Sequence, residues 1–364
     1  MLVFALVAAA VTVFALGRIF GADDAVAATI EAGASRPSGA VTFDGEARVV
    51  ISEGALPDEI VTILARAGVS SDAETLRTLL HFTGAGGELL AGEYRFALGT
   101  PPAEIIRRLR GGPDQIERIT FRTGLRVEEI GEILEREGYF SAQEWDAAID
   151  AEPPRDFMDD ETDFLGYLMP GTYEIEDGTT AESLLAAMLD RFAEEVPDSL
   201  VAEAEEQGWT LYEVVTLASV VEREAVHPEE KPVIAAAFRN RLDEGIALQA
   251  DATVQFALTL QEDGAASVAE FGWWKRGLTE DDLALDSPYN TYQYPGLIPG
   301  PIANVDADSI RGVIRPAAVD YVYFVASPEC DGRHLFASTL EEHNANVETF
   351  LASGCGEEDE EAEE

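Results

Sequence analysis

Lysine is almost missing from this 364-residue chain: Lys231 and Lys275 are the only two, and the remaining positive charge rests on arginine. With 24 Lys and Arg against 70 Asp and Glu, the formal net charge is -46. A surface so short of cations repels phosphate backbones, which excludes a nucleic-acid binder. Cysteine is as scarce. Cys330 and Cys355 are too few for a disulfide scaffold, and the count leaves open whether they pair or stand as unrelated thiols. No CxxC or His/Cys cluster occurs, so the sequence offers no metal site. The carboxylates are spread along the whole chain, denser only from Glu357 to Glu364. That distribution suits a host in salty surroundings, where carboxylates keep the surface hydrated, better than one anionic patch; residues 353–364 are expected to be a solvated acidic tail. Hydrophobic residues make up 46%, enough to bury a substantial core over two or three domains.

From Leu2 to Leu16 the chain is apolar apart from Thr12, and apolar character resumes at Ile19 and Phe20. This predicts a transmembrane anchor over residues 1–20, with a signal peptide cut after Ala25-Val26-Ala27, or a buried soluble helix, as the alternatives. No basic residue precedes the segment, so the positive-inside rule gives no orientation by itself. Residues 21–46, rich in Gly, Ala, Ser and Pro between Gly33 and Gly39, are expected to be a linker.

Beyond it a short pattern recurs three times. Val49-Val50-Ile51 leads to Gly54 and then Glu59-Ile60 and Leu64; Tyr94-Arg95-Phe96 leads to Gly99, Glu104-Ile105 and Leu109; Ile119-Thr120-Phe121 leads to Gly124, Glu129-Ile130 and Leu134. Alternating apolar residues, a glycine and then helical spacing predict strand, turn and helix in each copy. Pro57 and Pro101 fall where helices begin, a place where proline costs no hydrogen bond. With a helix from Asp72 to Phe82 between the first two copies, the order strand, helix, helix, strand is similar to the LysM domain, a module that grips N-acetylglucosamine-containing glycans. This sets a LysM-like module at 47–125.

Residues Leu211 to Ala225 form a nearly all-apolar helix that ends in charge at Glu222, Arg223 and Glu224. Such a helix is buried on most sides, so a carboxyl at its end is partly desolvated and can keep a proton near neutral pH, as a general acid requires. Ala218 and Ser219, one turn earlier than Glu222, would leave space above a sugar. Periodicity does not separate Glu222 from Glu224, and both also fit an ordinary solvated last turn. Downstream, loops rich in Pro, Gly, Asn and Tyr around residues 287–304 suit a rigid cleft wall, where tyrosine stacks on sugar faces and amides bond hydroxyl and acetamido groups.

Five ordered motifs carry a resemblance: Leu217-Ala218-Ser219-Val220-Val221-Glu222-Arg223-Glu224; Leu248-Gln249-x-Asp251-x-Thr253-Val254; Tyr289-Asn290-Thr291-Tyr292 with Gly296-Leu297-x-Pro299-Gly300-Pro301-Ile302; Tyr321-Val322-Tyr323-Phe324-Val325; and His334-x-Phe336 with His343-Asn344. Together they resemble the MltG (YceG-like) endolytic murein transglycosylase family, from the N-terminal segment to about Leu351. The resemblance puts the catalytic glutamate at Glu222, and Asp251, Tyr289, Asn290, Thr291 and Asn304 along the substrate cleft. The sequence departs from the family where Ala252 replaces a proline, Phe256 a tyrosine, and Leu165 and Gly171 two carboxylates.

The expected architecture is therefore α+β: an N-terminal membrane helix, the LysM-like module, a connecting α+β region at 126–207 and an α+β catalytic domain at 208–352. By resemblance the reaction needs no cofactor and no metal. One glutamate protonates the oxygen between N-acetylmuramic acid and N-acetylglucosamine, then takes the proton from the muramic acid's own 6-hydroxyl, leaving a 1,6-anhydro end. The implied partners are peptidoglycan strands and cell-wall synthases such as penicillin-binding proteins, at the outer face of the cytoplasmic membrane. Two rivals remain: a lysozyme-like muramidase with Asp251 as second carboxylate, and a non-catalytic glycan-binding scaffold.

Overall fold

A computed structural model describes residues 39–43, 45–70, 72–83, 89–113, 117–158, 164–176 and 178–355. The expected anchor at 1–20 and the acidic tail from residue 356 lie outside the described residues. Among the described residues no helix is long and apolar enough to cross a membrane.

The chain divides into two compact units, residues 1–116 and 117–364. In the first, β1 (Gly39–Phe43), β2 (Glu46–Ile51) and β3 (Gly92–Ala97) form an antiparallel sheet in the order β1-β2-β3. Helices α1 (Pro57–Arg66) and α2 (Ala73–Thr83) lie between β2 and β3 in sequence, and α3 (Pro102–Gly111) follows. The alternation Ala47, Val49, Ile51 and Tyr94, Phe96 puts one sheet face onto Ile60, Leu64, Leu76, Ile105 and Leu109, giving this unit a core of its own. The strand, helix, helix, strand order is present, but β1 occupies part of the stretch expected to be linker.

The three repeated patterns all fold as strand, glycine turn and helix. Gly54, Gly99 and Gly124 have φ of 79°, 79° and 73°, a region glycine enters without steric cost. The third copy belongs elsewhere than expected: β4 (Glu117–Phe121) opens the second unit and pairs antiparallel with β5 (Gly171–Ile175), so the module boundary falls near residue 116 rather than 125. Its helix is α4 (Val127–Arg136), followed by α5 (Ala142–Ala151), α6 (Ala181–Glu195) and α7 (Asp198–Glu206).

The central helix of this unit is α8 (Leu211–Glu224). Thr210 and Glu213 cap it reciprocally: the Glu213 N–H donates to Thr210 Oγ1 at 3.2 Å, and the Thr210 N–H to Glu213 Oε2 at 2.9 Å. Val214 to Glu222 are all buried, and the chain leaves the helix at an extended Ala225. Next come α9 (Lys231–Glu244), α10 (Asp251–Thr259), α11 (Gly264–Phe271), the short α12 (Glu280–Leu283) and α13 (Ala307–Ile314), which packs on α8 and α9. A hairpin of β6 (Tyr323–Ala326) and β7 (His334–Ala337) carries the last helix, α14 (Leu340–Ser353). One continuous apolar core runs from Ile119 and Trp145 through Leu168 and Phe192 to Val215, Phe238 and Ile310. The expected division between a connecting region and a catalytic domain at residue 208 therefore has no counterpart in the packing.

Candidate active site

The end of α8 carries two glutamates with opposite surroundings. Glu222 turns inward: its side chain is 2% exposed and accepts from Lys231 Nζ at 3.2 Å on Oε1 and 3.0 Å on Oε2. Oε2 also accepts from Ser309 Oγ at 2.6 Å and from the Asp306 N–H at 3.2 Å. Lys231 bridges on to Asp306 Oδ2 at 2.7 Å. Burial pushes the Asp306 carboxyl up, but the Lys231 ammonium and the Ser309 N–H outweigh it and hold the group below its ordinary range. Glu222 therefore knits the ends of α8, α9 and α13 together and presents no oxygen to a cleft.

Glu224, two residues on, keeps part of its surface open although protein closes round its carboxyl. Burial first, and then the charge of Asp251, raise it to about 7, against the opposing influence of Arg223 and Arg241. Asp251 is exposed at the first position of α10 and accepts from the Tyr292 hydroxyl at 2.6 Å. Burial, together with that bond, pushes the Tyr292 phenol well above its ordinary value. Arg241 is buried; its Nε donates to Val322 O and its Nη1 to Leu248 O, both at 2.5 Å. Its guanidinium stands 5.8 Å from the Tyr323 ring, on which His343 stacks at 5.1 Å. Arg223 lies 3.7 Å over the Trp274 ring and donates to Gly124 O at 3.2 Å.

The other residues expected along the cleft do different work. Asn290 is fully buried: Nδ2 donates to Leu283 O and Leu285 O at 3.0 and 2.8 Å, and Oδ1 accepts from the Tyr292 N–H at 3.0 Å. Thr291, also fully buried, accepts the Ala250 N–H on Oγ1 at 3.0 Å and lies 2.8 Å from Thr253 Oγ1. It clamps the turn at Gln249, whose φ of 49° is rare for a residue with a Cβ, and so sets Asp251 at the start of α10. Asn304 accepts the Gly166 and Leu168 N–H groups on Oδ1 at 2.9 and 3.0 Å. A Cβ at Gly166 would run into Val215 and Pro301, so that close approach needs glycine. Tyr289 is half-buried with its ring 4.8 Å from Phe256. Ser219 is buried and accepts the Ile302 N–H at 3.0 Å, so the small residues of α8 make room for the 300–302 segment and not for a sugar.

A family model described as the YceG-like family matches residues 49–349. The chain belongs to the YceG-like family. Over 320 residues this YceG-like chain is 30% identical to the endolytic murein transglycosylase of Bacillus subtilis strain 168, covering 83% of this chain and 84% of that protein. It is 32% identical over 195 residues to the endolytic murein transglycosylase of Streptococcus pneumoniae strain D39, 52% of this chain and 32% of that one. The crystal structure of a YceG-like protein from Listeria monocytogenes matches with a TM-score of 0.52 at 26% identity, over 83% of this chain and 98% of that chain.

Among the described residues no group of His, Cys, Asp and Glu is arranged to hold a metal ion. The missed residue is Glu224: its place at the exposed edge of the last turn of α8 was visible in the sequence, but the lysine that occupies Glu222 is nine residues away and was not.

Proposed function

We propose that this YceG-like protein is a peptidoglycan lytic transglycosylase, as its relatives' names indicate, with Glu224 and not Glu222 as the group that moves the proton. The observation that carries this reading is the contrast at the end of α8. Glu222 is sealed by Lys231 and Ser309, whereas Glu224 opens to the cleft with its carboxyl raised to about 7. A carboxyl poised there can both give and take a proton at neutral pH.

Glu224 protonates the oxygen linking N-acetylmuramic acid to N-acetylglucosamine as the C1–O bond breaks. The resulting carboxylate then takes the proton of the muramic acid 6-hydroxyl while that oxygen bonds to C1. The proton returns to Glu224, no water is consumed, and a 1,6-anhydro end remains. Intramolecular attack supplies the proximity that a bound water would otherwise need. The first unit, with its strand, helix, helix, strand order, would grip the glycan, and the apolar stretch at 1–20 would hold the catalytic unit against the outer face of the membrane, beside cell-wall synthases that extend the strands.

Digestion of purified peptidoglycan by the full chain and its Glu224→Gln variant tests the reading. Anhydro-ended fragments from the wild type alone support it. Reducing ends would instead favour a muramidase in which Asp251 joins Glu224 as second carboxylate. No cleavage by either protein would leave a glycan-binding role.

A further inference from the structure

Two carboxyl groups share this cleft, and the fold treats them oppositely. Glu224 is the last residue of α8, where the unpaired carbonyls of a helix end disfavour an anion. Asp251 is the first residue of the nine-residue α10, where unpaired N–H groups favour one. The Tyr292 hydroxyl holds Asp251 Oδ1 at 2.6 Å, and the Thr291 clamp on Ala250 fixes the turn that delivers it. The nearby cations are turned to other partners. Arg241, from α9, donates to the carbonyls of Val322 and Leu248, and Arg223, from α8 itself, to Gly124 O while lying over Trp274. Tyr292, from the 287–292 loop, and Tyr323, from β6, complete the titratable groups that these elements bring round Glu224 and Arg241.

We propose that Asp251, fixed by the Tyr292 hydroxyl at the N-terminus of α10, is a positioning residue that keeps the proton on Glu224 until the glycosidic oxygen takes it. This rests on the reading of Glu224 as the acid. Asp251 stays charged, Glu224 stays protonated, and the proton that leaves Glu224 in the first half of the reaction is driven back to it in the second by the same neighbouring charge. The raised carboxyl of Glu224 agrees with that division of roles, burial contributing most and Asp251 next.

The test is the pH–rate profile for release of anhydro-ended fragments from purified peptidoglycan by the full chain. In wild type the alkaline limb reports loss of the Glu224 proton. In Asp251→Asn that limb should move to lower pH by about one unit, so the loss of rate at pH 8 is at least severalfold larger than the loss at pH 5, with KM little changed. Asp251→Glu, which keeps the charge, should bring the limb back towards its wild-type position. A uniform loss across the pH range, with the limb unmoved in Asp251→Asn, overturns the inference, since a residue that merely contacts sugar or supports the fold would act so. Glu224→Gln separates the two claims. If it retains wild-type release, the Glu224 reading falls and the inference with it; if it is inactive while the Asp251→Asn limb stays in place, only the inference falls.

Discussion

Lys231 Nζ lies 3.0 Å from Oε2 of Glu222, and both side chains are almost sealed from solvent, at 4% and 2% exposure. One of the two lysines in the chain thus neutralises the glutamate nearest the active end of α8 and leaves Glu224 as the carboxyl that faces outward. Breaking one partner of a buried pair strands the other charge, at a cost on the order of 3 kcal/mol. Glu222→Gln should therefore lower the melting temperature of the second unit by roughly 6–12 °C. The double variant Glu222→Gln/Lys231→Met should recover part of that loss. Calorimetry of the three proteins checks this; equal melting temperatures would contradict a structural role for the pair.

Glu224→Gln should behave in the reverse way. The amide keeps the shape, so the melting temperature stays near wild type, but no proton can be delivered and cleavage should fall by about 10² to 10⁴-fold. Wild-type release of anhydro ends by a folded variant would remove Glu224 from the mechanism.

Glu224 also sets the direction of the pH response. Its folded value of about 7 stands above the ordinary 4.5, so the protonated form needed for the first step persists up to about pH 7 and is lost above it. Activity should decline as pH rises through that point. The same shift makes the folded state less stable as pH climbs from about 4.5 to 7, because the enclosed carboxyl resists ionisation. Asp306 has the opposite sign: its carboxyl is held low, so its stabilisation is present above its ordinary 3.8 and is lost as pH falls below. Rates and melting temperatures between pH 3 and 9 would show both trends.

Asn304→Ala should destabilise without touching Glu224. Two buried backbone N–H groups, of Gly166 and Leu168, would lose their common acceptor, at about 1–3 kcal/mol for each donor left unpaired. Hydrogen exchange should speed up first at those two amides. Unchanged protection there would mean the hydrogen bonds are dispensable.

Cys330 and Cys355 are joined, across 25 residues, and tie the β6–β7 turn to the end of α14. No residue of α14 is fully buried, so apolar packing holds that helix weakly. Reduction should cost about 2–4 kcal/mol, felt as faster amide exchange in α14 while α8 stays protected. Global unfolding on reduction would show that the hairpin supports the whole unit.

The net charge of -46 implies mutual repulsion among carboxylates, screened within about 3 Å at 1 M salt. Melting temperature should climb with added sodium or potassium chloride and then level off, and sucrose should not reproduce the rise. A flat response would show that the acidic surface is tolerated at low salt.

Local physics was legible in the sequence. Alternation at Val49 and Ile51, glycines at 54, 99 and 124, and an apolar run from Leu211 to Val221 named strand, turn and helix because each depends on residues a few positions apart. The family motifs likewise brought Asp251, Thr291 and Asn304 to attention. What each does depends on partners far away in sequence. Thr291 meets Ala250, Asn304 meets Gly166 and Leu168, and Glu222 meets Lys231 and Ser309. The pairing of β4 with β5 placed the third repeat in the second unit for the same reason. Two glutamates one residue apart are chemically identical in a string of letters; only the packing of α9 and α13 against α8 seals one and leaves the other at the cleft, and desolvation with a neighbouring charge is what makes that difference chemical.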